Sequence, residues 1–129
     1  MMGSKGIVMR ISLPGIAGIA LLTLATAPVA AADADHGKVL FETCAACHSD
    51  RPDALGPSLK GVLGRQSAAL EGFRYSNPMR RANLVWDETN LRDYIRDPQG
   101  KVKGNRMPFG GMNDPKDLDD IIAYLKTLK

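Results

Sequence analysis

The chain has little of what most binding or catalytic sites are built from. Among 129 residues there are two cysteines, two histidines and one tryptophan, and aromatics make up 5% of the total. So few aromatics give no stacking platform for unpaired bases, and the Arg and Lys residues are interleaved with acids, so nucleic-acid binding is excluded. No segment alternates apolar and polar residues with a period of two, which excludes a sheet. A thioredoxin-type use of the Cys-x-x-Cys pair needs strands alternating with helices, so it goes too. A disulfide is the plain alternative for two cysteines in an exported protein.

The first residues are a processing signal. Lys5 and Arg10 form a positive region, Ile11 to Ala27 is apolar apart from Ser12, Thr23 and Thr26, and Ala30-Ala31-Ala32 offers a small-x-small cleavage site. An uncleaved anchor is the other reading, since the run approaches the ~20 residues that span a bilayer. Pro14 and Pro28 favour cleavage after residue 32, with export to the periplasm and no stable membrane insertion afterwards. Residues 33–129 then form one domain of 97 residues with 15 basic against 14 acidic side chains, a net +1. A domain of this size buries only about 60–65% of its potential surface, so a bound cofactor would carry much of the fold.

The pattern that organises the rest is Cys44-Ala45-Ala46-Cys47-His48. Two thiols at this spacing with a histidine directly after the second read as a c-type haem attachment site. On one helical turn both can add to the vinyl groups of one porphyrin, which sets the imidazole of His48 beside the iron. The sixth ligand must come from elsewhere. Met107 is the first candidate, because it lies in a loop rich in Gly and stiffened by Pro108; Met112 ranks second, and Met79 reads as a core filler. His36, at the start of a helix, reads as solvated.

Three helices are expected. Asp33 suits the N-cap of a short helix that delivers the attachment motif. Asp87 caps a second, with Leu91, Tyr94 and Ile95 on one face and Pro98 as its stop. Asp114 with Pro115 opens the third, with Leu118, Ile121, Ile122, Leu125 and Leu128 at helical spacing. The stretches from Ser49 to Val85 and from Gln99 to Met112 read as loops, the first with room only for one-turn helices.

Taken in order, Cys44-x-x-Cys47-His48, Gly56-Pro57-Ser58-Leu59, Gly64-Arg65, Gly72-Phe73-Arg74-Tyr75-Ser76, Trp86, Leu91-x-x-Tyr94-Ile95, Asn105-Arg106-Met107-Pro108-Phe109 and Ile122-Ala123-Tyr124-Leu125 resemble the class I cytochromes c of the compact bacterial and mitochondrial type. The resemblance implies an all-α cytochrome c fold, with three main helices and loops wrapped around one haem c held through Cys44 and Cys47. It implies His48 and Met107 as iron ligands and the Pro57 carbonyl as acceptor for the His48 ring N–H. Arg65, Tyr75 and Trp86 are implied near the propionates, Tyr94 near the methionine sulfur, Asn105 near a propionate, and Gly37 and Tyr124 at a close helix crossing. Met79 departs from the family, which often has an asparagine there. The segment from His48 to Pro57 is shorter than in the mitochondrial proteins and points to a bacterial type.

The function implied is that of a monomeric, non-enzymatic one-electron carrier shuttling between larger respiratory or photosynthetic redox proteins. The alternatives are a haem subunit serving one periplasmic dehydrogenase, or a peroxidase or gas-binding protein if the methionine is displaced. Lys60, Arg80, Arg81, Lys101, Lys103 and Arg106 fall in the loops expected around the haem. Asp114, Asp117, Asp119 and Asp120 crowd the start of the last helix, which reads either as a solvated surface of mixed sign or as a dipolar molecule steered toward acidic partners.

Overall fold

The computed structural model describes residues 1, 3, 6–13, 15, 27 and 30–129. Most of the apolar part of the expected signal lies outside the described residues. Within them no helix is long and apolar enough to cross a membrane.

Among the described residues five helices are present: α1 (Ala34–Ala45), α2 (Asn77–Arg81), α3 (Glu88–Arg96), α4 (Pro98–Lys101) and α5 (Pro115–Leu125). Among the described residues no strand forms, and the pairing of Gln66 with Val85 is an isolated bridge. The three longer helices are those the sequence announces, and each starts at its expected cap. The Asp33 carboxylate accepts from the N–H groups of Asp35 and His36, that of Asp87 from Asn90, and that of Asp114 from Lys116 and Asp117. Each cap satisfies amides that have no partner inside the helix. The last helix ends at Leu125, so Leu128 lies past it.

The turn α4 is an addition to the expected loop. Pro98 stops α3, as foreseen, but it also opens a new turn, because its fixed φ and missing N–H suit a first helical position. Asp97 serves both, ending α3 and capping α4 through the Gly100 N–H at 2.9 Å.

Crossing helices α1 and α5 form one side of the molecule. A side chain at Gly37 would bring its Cβ to 2.0 Å from the Asp120 carbonyl oxygen and 2.9 Å from Tyr124 Cβ. Glycine is therefore what lets the two backbones touch. The Phe41 and Tyr124 rings meet beside the crossing with centroids 5.1 Å apart. From there the core runs through Ile121, Ile122 and Leu125 to Leu91, Tyr94 and Trp86, with Val62, Met79 and Val102 closing it.

The long segment between α1 and α3 is held mainly by single backbone bonds. Gly61 N–H reaches the Leu128 carbonyl (3.0 Å), Gly64 N–H that of Trp86 (2.9 Å), and Trp86 N–H that of Arg65 (2.8 Å). Ser67 and Leu84 are joined twice, by Ser67 N–H to the Leu84 carbonyl (2.7 Å) and Leu84 N–H to Ser67 Oγ (3.0 Å). The segment thus lines the core, to which it gives Val62, Met79 and Trp86.

Candidate haem attachment site

Cys44 lies in the last turn of α1, and its carbonyl accepts from both Cys47 N–H (3.1 Å) and His48 N–H (2.9 Å). These bonds continue the helix as a turn, so the two cysteines stand one turn apart on one side with His48 next to them. The thiols are partly buried and not joined to each other. Burial raises the Cys44 thiol above its ordinary pKa, against an opposing backbone hydrogen bond and with a smaller push the same way from Cys47.

His48 Nδ1 lies 2.7 Å from the Pro57 carbonyl oxygen. A carbonyl can only accept, so Nδ1 carries the proton and Nε2 is left with the lone pair that a metal needs. Burial holds the imidazole below its ordinary pKa, with a small push the same way from Arg65 and an opposing one from the Pro57 bond. The neutral, ligating form is favoured. Gly56 closes the back of the ring: a Cβ there would sit 2.6 Å from His48 Cε1 and 2.7 Å from Nδ1. Gly56 N–H also donates to the Cys47 carbonyl at 2.9 Å, so the Gly-Pro pair and the attachment motif are bonded in two places. Two neighbouring thiols and a neutral imidazole with one nitrogen tied back fit a covalent haem c.

Met107 is partly buried and packs against the core. Its loop is fixed at both ends. On the early side Asn105, itself buried, donates through Nδ2 to the carbonyls of Pro98 and Val102 (both 2.8 Å) and accepts Met107 N–H on Oδ1 (2.8 Å). On the late side Met112 N–H donates to the Ile95 carbonyl (3.0 Å), and Gly111, at φ +103°, passes so close that a Cβ would stand 2.2 Å from the Arg96 carbonyl oxygen. Both amide hydrogens of Asn105 are thus spent on α4 and its end, and its geometry makes it the support of Met107.

Of the other expected residues, Arg65 donates to the carbonyls of Ser58 (2.8 Å) and Lys60 (3.1 Å), which braces the loop just after Pro57. It also lies close enough to His48 and Tyr75 to perturb both. Tyr75 meets Phe73 edge-on at 4.8 Å and is bonded to the Leu70 backbone, and burial raises its hydroxyl pKa. Trp86 and Tyr94 are buried and pack with ring centroids 5.1 Å apart. Desolvation pushes the Tyr94 hydroxyl up to about 12. Met79 is buried on α2, in line with a packing role.

Two readings change. His36 is not simply solvated: its Nδ1 lies 2.7 Å from Oδ2 of the buried Asp120. The expected dipole is also weaker than the sequence suggests, because several of its members are paired. Lys60 binds Asp50 at 2.6 Å and Lys101 binds Asp93 at 3.1 Å. On the acidic side Asp119 pairs with Arg92, and Asp120 with Lys116.

Comparison with known proteins settles the family. The profile of the family described as Cytochrome c matches residues 34–129, from the first residue of α1 to the end of the chain. This chain belongs to the cytochrome c family. It is a class I c-type cytochrome with the cytochrome c fold, carrying haem c through Cys44 and Cys47, and an electron carrier. Cytochrome c2 of Blastochloris viridis is 42% identical over 112 residues, covering 84% of this chain and 88% of that protein. Cytochrome c of Euglena viridis is 44% identical over 100 residues, covering 75% and 98%. Among solved structures, cytochrome cH from Methylobacterium extorquens superposes with a TM-score of 0.70 at 43% identity, covering 74% of this chain and 98% of that one.

Proposed function

We propose that this cytochrome c is a soluble, exported one-electron carrier that works in the periplasm as a monomer between larger redox proteins and turns over no substrate of its own. Its iron ligands are His48 and Met107. The observation that carries this reading is the loop of Met107, fixed at one end by Asn105 and at the other by Gly111 and Met112. A ligand held on such a loop does not swing away to admit peroxide or a gas.

When bound, the haem supplies a one-electron couple whose ferrous state is favoured by neutral ligands and an apolar setting. The rest falls to the chain. Pro57 holds the His48 proton at Nδ1 and so keeps Nε2 basic. Gly56 sets how deep the imidazole lies. Arg65, Tyr75 and Trp86 supply donors for the propionates, whose burial would otherwise be costly. The buried, neutral Tyr94 adds no charge beside the methionine, so the pocket changes little between oxidation states.

Met107→Ala should convert the oxidised protein from a low-spin form that resists cyanide to one that binds it readily, and should lower the reduction potential. Met112→Ala should leave the visible spectrum intact. Visible absorption with and without cyanide checks both, and the reverse pattern would assign the ligand to Met112.

A further inference from the structure

Asp120 has no exposed surface, yet it is charged and lies where α5 crosses α1. Its Oδ2 accepts from His36 Nδ1 and from Lys116 Nζ, both at 2.7 Å. Its Oδ1 accepts from the backbone nitrogen of Asp33, also at 2.7 Å. The contact is rigid, because Asp33 caps α1 and Gly37 pins α1 against the backbone of Asp120 itself. Asp33 is also the residue that directly follows Ala30-Ala31-Ala32, which are exposed and lie outside the helix.

We propose that export cleavage falls between Ala32 and Asp33 and that the new α-ammonium of Asp33 locks onto the buried carboxylate of Asp120, so that maturation itself completes the α1–α5 crossing. This rests on the reading of the protein as exported. Hydrolysis of the Ala32–Asp33 amide consumes one water, leaving a carboxylate on the released segment and an ammonium on Asp33. Before cleavage the nitrogen is a neutral amide with one N–H. Afterwards it is a cation with three, and its bond to the carboxylate becomes charge-assisted.

The surroundings favour a cation. On the α1 side the nitrogen is faced by its own Asp33 carboxylate and by His36; on the α5 side by Lys116, Asp117 and Asp120. Three acids thus stand against one lysine and one imidazole. The position is also specific to one residue. A chain starting at Ala32 would keep the amide, and one starting at Ala34 would lose both the donor and the cap that holds the N–H groups of Asp35 and His36.

The test uses the exported holoprotein. Intact mass should give Asp33 as the first residue. Its α-amino group, followed by NMR, should titrate above about 9 instead of the ordinary 7.7–8.0, and return to that range in Asp120→Asn. At pH 8 the amine should be acylated at least about fivefold more slowly than in that variant. Because Asp120→Asn removes a buried charge and can unfold the domain, a wild-type protein acetylated at the α-amine alone is the second arm; it should melt about 4 °C or more lower. The folded amine has the raised pKa, so the added stability is complete below about pH 7 and is lost as pH rises through about 9. A chain that keeps residues 1–32 would refute the export reading and the proposal together. A mature start other than Asp33 would refute the cleavage point alone. An Asp33 start whose amine titrates ordinarily would refute the lock and leave the export reading standing.

Discussion

Both polar atoms of the Asn105 side chain are in use, in three hydrogen bonds, and this ties Met107 to the backbone of α4. The family pattern marks the residue as one near a propionate, and the hydrogen bonds add that it supports Met107. Sequence could not show this, because the acceptors Pro98 and Val102 become neighbours only once the unforeseen turn α4 has formed. His36 has a similar history. Its partner Asp120 is 84 positions away, and a lone histidine at a helix start carries no local sign of it. A sign did exist on the other helix, since Asp120 shares a face with Asp117 and Tyr124, the face that meets Gly37. Tyr94 yields a test at this scale. Its hydroxyl titrates near 12 when folded and near 10 when unfolded, so between those values the unfolded chain loses a proton that the folded one keeps. Stability must fall as pH rises through that window. Denaturant midpoints from pH 9 to 12 should drop more steeply in wild type than in Tyr94→Phe; parallel curves would mean that Tyr94 is not desolvated.

At the scale of elements, the sequence was legible where local rules act. Asp33, Asp87 and Asp114 start their helices because each side chain bonds an amide within its own first turn. What was not legible is how the irregular stretches are pinned, since Gly61 to Leu128 and Met112 to Ile95 join positions distant in the chain. The α1–α5 crossing stands between these cases: the glycine is visible, but the backbone atom it admits is not. Gly37→Ala should displace the Asp120 carbonyl and with it the carboxylate cluster. The cost should be about 3 kcal/mol, the upper end for an overpacked contact. Thermal unfolding of the holoprotein should move down by at least about 10 °C. A change under about 2 °C would show that the helices part freely at that point.

At the scale of the whole molecule, much of the formal charge is spent internally. The pairs Lys60–Asp50, Lys101–Asp93, Lys126–Glu88 and Arg92–Asp119 leave a mixed surface, so steering of partners rests on fewer cations than the sequence count implies. The domain is small, its long connections line its core, and both candidate iron ligands stand on segments bonded at more than one point. Such a molecule is suited to changing oxidation state without moving. The most direct test is a spectroelectrochemical titration of the holoprotein in both directions, with carbon monoxide then added to the reduced form. A single reversible one-electron transition is expected, with no hysteresis and a reduced spectrum unchanged by carbon monoxide. Hysteresis, or prompt carbon monoxide binding by the wild-type protein, would contradict a closed site and with it the carrier role.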